Sequence, residues 1–417
     1  MSGFLKLPCE LVAAILRQVD TAQHLLSARL ACRHINNALI QQSGLPVEIL
    51  RREINSELLP YALATLRCSR KTVTLELCKS TLQDLHEQPH KLLEDCHKLR
   101  SGEASKLSQM HQMITDLARK FANTAWAKMD QGQTLVLSIP EEVRFCRAFY
   151  RFELLCAYSR VRSQLEREPS YDPDSPIFTE MRAQLLAPYP PWANEQLGCA
   201  TEFLAKTLLE SIRGAVAHEV QFGEYSIDYL SLDADNFWLH DRLSHGIQSI
   251  HQLLECTSKH QKVDLIQPQE DDLSRPSAID VLCPQSVEGG AVPLVEYSAA
   301  ELEALIPVQR LADADNGPYD AWYQIHKDDW NCNFLMYGGY DGLRERAYVF
   351  WDSERLRRHG LTEHFQNVEE YSTSQPTDSE REEMYRSFEE RSKIWQKGGR
   401  GFWYDGDESE IVWPKRG

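Results

Sequence analysis

Apolar positions recur at helical spacing through most of this chain, and polar breaks divide the pattern into blocks. Leu11, Ile15 and Val19 step by four, with Ala14 and Leu16 widening the stripe, which predicts a short amphipathic helix near the N-terminus. Pro8 stands where a helix start loses no donor, and Glu10 suits the positive end of the helix dipole. A second helix is expected from Thr21, with Gln23 placed to complete a capping-box-like pair. Leu25, Ala28, Cys32, Ile35 and Leu39 form one face of it, and Leu26 and Leu30 a neighbouring one. This apolar surface wraps further round than two small helices bury by themselves, and so short a segment cannot build a self-sufficient core. The rest of the chain or another protein must cover part of it.

Beyond a break at Gly44-Leu45-Pro46, residues 47–66 read as helical, with Pro60 as a kink or boundary. Residues 71–77 alternate enough to suggest a short strand. Leu107, Met110, Ile114, Leu117, Phe121 and Ala125 then predict a long helix over 103–129. A second, over 141–168, carries an aromatic face of Phe145, Phe149 and Phe152, read as core packing. Prolines from 169 to 191 surround one short helix near 178–186, and further long helices are expected over 194–220 and 236–259. Residues 267–293 shift to Pro, Ser, Gly and acids, the composition of a linker. Ser298-x-x-Glu301 signals another helix start, and a charged helix is expected over 378–396.

The fold class that follows is mainly α: a small N-terminal head over 1–45 and a helical bundle or array over 46–265. A linker or long loop over 266–295 then leads to an irregular, Trp-rich acidic C-terminal part over 296–417. The last part holds Trp322, Trp330, Trp351, Trp395, Trp403 and Trp413, too much aromatic surface to leave in water.

Composition narrows the classes. An apolar fraction of 42% suits a folded chain, and no apolar run is long enough to span a membrane. Eleven cysteines without a Cys-x-x-Cys pair fit reduced thiols, hence a cytoplasmic or nuclear protein. The net charge is −17, and from Gln261 onward 17 Lys and Arg stand against 31 Asp and Glu. So acidic a C-terminal part disfavours nucleic acid, whose binding depends on neutralising phosphates.

Candidate chemistry is sparse. His86-Glu87-Gln88-Pro89-His90 spells the zinc-protease pattern, but Pro89 interrupts the helix on which both imidazoles would have to share a face. Gly398-Gly399-Arg400-Gly401 lacks the strand before it and the Lys-Ser/Thr after it that make a phosphate loop. No catalytic residue, metal or cofactor is expected. Arg344, Arg346, Arg355, Arg357 and Arg358 form the one concentrated basic patch, suited to an acidic or phosphorylated peptide, with Glu345, Asp352 and Glu354 available as local partners instead.

Leu7-Pro8-x-Glu10-Leu11-x3-Ile15-Leu16-x2-Val19, followed by Leu25-Leu26-x2-Arg29-Leu30-x-Cys32-Arg33, resembles the F-box. The departure is Ile35 and Asn36 where F-boxes commonly carry an aromatic. The resemblance implies that Leu7, Pro8, Leu11, Ile15, Leu16, Leu26, Leu30 and Arg33 face a Skp-type adaptor and, through it, a cullin. The body is similar to a fungal F-box-like family of unassigned substrate, on Arg144-Phe-Cys-Arg-Ala-Phe-Tyr-Arg151, Glu195-Gln-Leu-Gly-Cys199 and Tyr348-Val-Phe-Trp-Asp352. The implied function is a noncatalytic substrate receptor of a ubiquitin ligase. The alternatives are an assembly subunit with the same adaptor contact, and an enzyme or small-ligand binder housed in the helical body.

Overall fold

The computed structural model of the chain describes residues 6–42, 44–70, 72–129, 132, 134–163, 176–232, 236–267, 278–282, 293–298, 300–301, 313, 315–328, 340–368 and 376–414. Helices dominate them, and the described strands amount to one two-residue pair, Arg400–Gly401 with Ile411–Val412.

The head is three helices rather than two: α1 (Cys9–Leu16), α2 (Ala22–Ala31) and α3 (Arg33–Gln41). Pro8 caps α1 in an extended conformation, and its carbonyl accepts from the amides of Leu11 and Val12. Cys32 is also extended, at φ −160° and ψ 158°, and divides the helix expected from Thr21. Thr21 Oγ1 does accept from the His24 amide, at 3.1 Å. Gln23 does not close the box; its amide donates to Ser108 Oγ instead, at 3.2 Å.

Two short helices follow, α4 (Leu45–Glu53) and α5 (Leu59–Cys68); the break between them falls at residues 54–58, and Pro60 stands in the first turn of α5. The suggested strand is instead the approach to α6 (Leu75–Glu87), which Thr74 caps through the Leu77 amide. Hydrogen-bonding from Thr74 serves a helix start better than a strand that would have no neighbour. After α7 (Pro89–Asp95) comes α8 (Ser101–Ala127), the long helix expected there.

The centre of the molecule is α9 (Ile139–Ser163), packed between α5, α8 and a third long helix, α11 (Pro191–Val216); the short α10 (Pro176–Leu185) lies between them in sequence. Every residue from Val143 to Tyr158 is buried. Its aromatic face is core packing: Phe145 stacks on Phe350 at 4.2 Å, and Phe121 of α8 meets Phe145 edge-on at 5.4 Å. A helix sealed on all sides also seals its charges, which must then be matched inside. Arg144 grips Asp313 with two bonds of 2.7 and 2.8 Å. Arg151 donates to Leu185 O at 3.2 Å and to Asn194 Oδ1 at 2.6 Å.

The helix expected over 236–259 is two, α12 (Phe237–Ser244) and α13 (Ile247–Glu255), followed by α14 (Lys259–Ile266). Part of the expected linker is interior: Ile279, Val281 and Leu282 are buried in a short 3-10 turn against α9 and α12. The C-terminal part contributes α15 (Gly317–His326), α16 (Asp341–Arg344), α17 (Ser353–His359), α18 (Leu361–Gln366) and α19 (Asp378–Gln396). Thr377 and Glu380 form the capping box of α19. Ser298 and Glu301 make the expected reciprocal bonds, but the helix they would start lies mostly outside the described residues. Trp322, Trp351 and Trp403 are buried, Trp413 is exposed, and Trp330 lies outside the described residues.

Candidate functional site

The first three amides of α2 find acceptors in three different places. Ala22 donates to Glu53 Oε2 at 3.1 Å, Gln23 to Ser108 Oγ and His24 to Thr21 Oγ1. Ser108 Oγ in turn donates to Glu53 Oε1 at 2.6 Å. Helix N-termini need such partners, and here the body supplies two of the three. Arg52 Nη1 adds a bond of 2.8 Å to the Arg17 carbonyl. Val12, Leu16, Leu25 and Leu39 sit in the same buried cluster as Leu50, Ile114 and Phe149. The head is therefore welded to the body along one side.

Its other side is bare. Leu11 is 52% exposed, Ile15 51% and Leu30 81%, and Ile40 is exposed as well. Leu11 and Ile15 lie one turn apart on α1, so they share a face. Four of the eleven exposed large apolar side chains among the described residues thus come from α1, α2 and α3. The other residues of the expected adaptor-facing set divide. Pro8 and Arg33 are exposed, whereas Leu7 and Leu26 are half-buried. The Leu7 carbonyl accepts from the His34 ring at 2.9 Å. Leu16 faces the core, at 5% exposure, and is unavailable to a partner.

The five arginines do not make one surface. Arg344 is interior and pairs with Glu195 and Glu202 of α11. Arg355 forks onto the fully buried Glu141 with bonds of 2.6 and 2.7 Å and lies over the rings of Trp126 and Trp351. Arg346 Nη1 donates to Gly342 O at 2.7 Å. Only Arg357 and Arg358 are well exposed, and both share the carboxylate of Glu354. Local pairing has consumed the charge that looked concentrated in sequence.

His86 lies in the last turn of α6 and His90 in α7, with Gln88 between them outside helical geometry, at φ −144° and ψ 58°. The two imidazoles do not share a helical face. Gly398 takes positive φ in the turn leading into β1 (Arg400–Gly401), Gly401 takes it within that strand, and β1 pairs with β2 (Ile411–Val412).

A cleft of about 410 Å³ opens between α11 and α19, with Tyr229, Met384 and Trp403 in its lining and Glu210, Glu383 and Asp405 among its charged residues. These residues are far apart in the chain, and no motif joins them. Compared with protein-family models, curated proteins and solved structures, the chain matches none.

Proposed function

We propose that this chain is a noncatalytic substrate receptor, docking a Skp-type adaptor and through it a cullin, and recruiting a protein substrate by its helical body. The observation that carries the reading is the outward display of Leu11, Ile15 and Leu30 on a head whose opposite side is fixed to the body. Covering such side chains is worth roughly 1.5–3 kcal/mol each when burial is complete, enough for three or four to anchor an interface. Rigid attachment to α4 and α8 would transmit the adaptor's position to the body, as a receptor requires. The F-box-like spacing of Leu7 to Arg33 supports a Skp-type adaptor as the partner.

The test is a pulldown with purified Skp-type adaptor, comparing wild type with Ile15→Asp plus Leu30→Asp. Loss of adaptor with an unchanged melting temperature is expected, and equal recovery by both proteins overturns the reading. Cullin co-purification separates the ligase role from an assembly subunit that uses the same contact.

A further inference from the structure

The cleft between α11 and α19 has the chemistry of a cation site. Its floor is apolar and aromatic: Tyr229, Met384 and Trp403 are each at least nine-tenths buried. Its rim carries four carboxylates, Glu210, Glu380, Glu383 and Asp405, against two guanidiniums. Both guanidiniums are committed. Arg213 pairs with Glu380 at 3.3 Å and Arg386 with Asp405 at 3.0 Å. Glu210 and Glu383 have no ion-pair partner among the described residues, so the lining side chains carry two more carboxylates than guanidiniums, against which stands the buried Arg391 behind Tyr229 and Ser387. His218 adds no positive charge, because burial lowers its pKa and the ring stays neutral. The His218 Nδ1–H donates to the Trp403 carbonyl at 3.1 Å, which leaves the other ring nitrogen an acceptor. The Trp403 amide returns a bond of 2.8 Å to the His218 carbonyl, fixing the end wall.

Gly214 points the same way. It lies in the last turn of α11 and lines the cleft; a Cβ built there meets nothing within 4 Å. Neither a left-handed backbone nor a close neighbour calls for glycine at this position, where alanine would favour the helix. The effect of its missing side chain is to keep the cleft open. The volume falls in the range of roughly 300–1,000 Å³ typical of small-ligand sites. Glu210, Arg213, Gly214, Glu383 and Arg386 are all exposed, so the groove is open along its side. It suits one side chain of a longer molecule better than an enclosed small ligand.

We propose that this cleft binds a lysine or arginine side chain of a partner protein, its aliphatic stem over Trp403, Tyr229 and Met384 and its charged head between Glu210 and Glu383. Long basic side chains bury their stems on apolar surface while keeping the charge paired, and an aromatic floor adds cation–π attraction. The strongly acidic C-terminal part supplies a field that draws a basic segment in. Such a site would give the receptor a substrate contact, but it does not depend on adaptor docking by the head.

The experiment selects a random octapeptide library against the immobilised full-length chain without adaptor, so that its result is independent of the head. Lysine and arginine should be enriched at one position. Capture of the selected peptides should fall at least about tenfold in Glu210→Gln plus Glu383→Gln, as loss of charge-assisted bonds implies. It should fall similarly in Gly214→Leu, which fills open space on a helix and leaves the melting temperature unchanged or raised. No basic enrichment with wild type, enrichment of acidic peptides, or undiminished capture by Gly214→Leu would each overturn the proposal.

Discussion

Arg344 Nε donates to Glu195 Oε1 at 2.6 Å, and the two side chains are sealed from solvent, at 1% and 2% exposure. A second carboxylate, Glu202, accepts from the same guanidinium. This pair joins α16 of the C-terminal part to the N-terminal end of α11. Removing one partner strands a charge inside the protein, which costs about 3–5 kcal/mol. Arg344→Met should therefore lower the urea midpoint sharply. Arg344→Met plus Glu195→Leu should lower it less, because fewer buried carboxylates then lack a partner.

The head separates packing from binding within one helix. Leu16→Ala on its buried side should lose about 2–5 kcal/mol in urea denaturation. Leu11→Ser on the exposed side should change stability by no more than about 0.5 kcal/mol. If Leu11→Ser proved as damaging as Leu16→Ala, the bare face would have to be covered within the chain.

Gly246 holds φ at +85°, and a Cβ there would lie 2.5 Å from Glu153 Oε2. That carboxylate accepts from the Ile247 amide at 2.7 Å and so caps α13 from the central helix. Gly246→Ala has both a strained backbone and a displaced buried carboxylate, a cost of at least about 1–3 kcal/mol. Thermal unfolding of the variant should show it, with Ser244→Ala as the nearby control.

Two groups give stability opposite pH slopes. His111 titrates at about 4 in the folded chain, because burial disfavours its cation. Its contribution is present above the ordinary value of 6.5 and is lost as pH falls toward 4. Glu202 is pushed up to about 7 by burial, against the pull of Arg344. Its contribution is present below 4.5 and is lost as pH rises through 7. His111→Gln should flatten the acid-side decline, and Glu202→Gln the neutral-side decline. Chemical denaturation at pH steps between about 4 and 8, read as differences from wild type, measures both.

Much of the architecture is visible in spacing alone. The run Leu107, Met110, Ile114, Leu117, Phe121 and Ala125 places α8 to within two residues at each end, and Phe145, Phe149 and Phe152 are core residues of α9. The breaks at Cys32 and Gly246 leave no mark on the apolar spacing, for different reasons. Cys32 carries no local breaker, whereas Gly246 works through a carboxylate ninety-three residues earlier in the chain. The five arginines misled because sequence shows the proximity of charges but not the side on which a partner waits. Glu141, Glu195 and Glu202, which neutralise two of them, come from other helices. The cleft was illegible for the same reason, its walls coming from α11, α19 and the turn after β1.

The sequence by itself determined that the chain is helical, where three of its long helices run and that its head carries more apolar surface than it can hide. These follow from periodicity, capping and length, which are local properties of the chain. The tertiary structure alone decided that Leu16 turns inward while Leu11, Ile15 and Leu30 stay in water. It also decided that Arg144, Arg151 and Arg344 are core residues rather than surface charges. A helical stripe states which side chains share a face; whether another element covers that face depends on helices packed from distant parts of the chain.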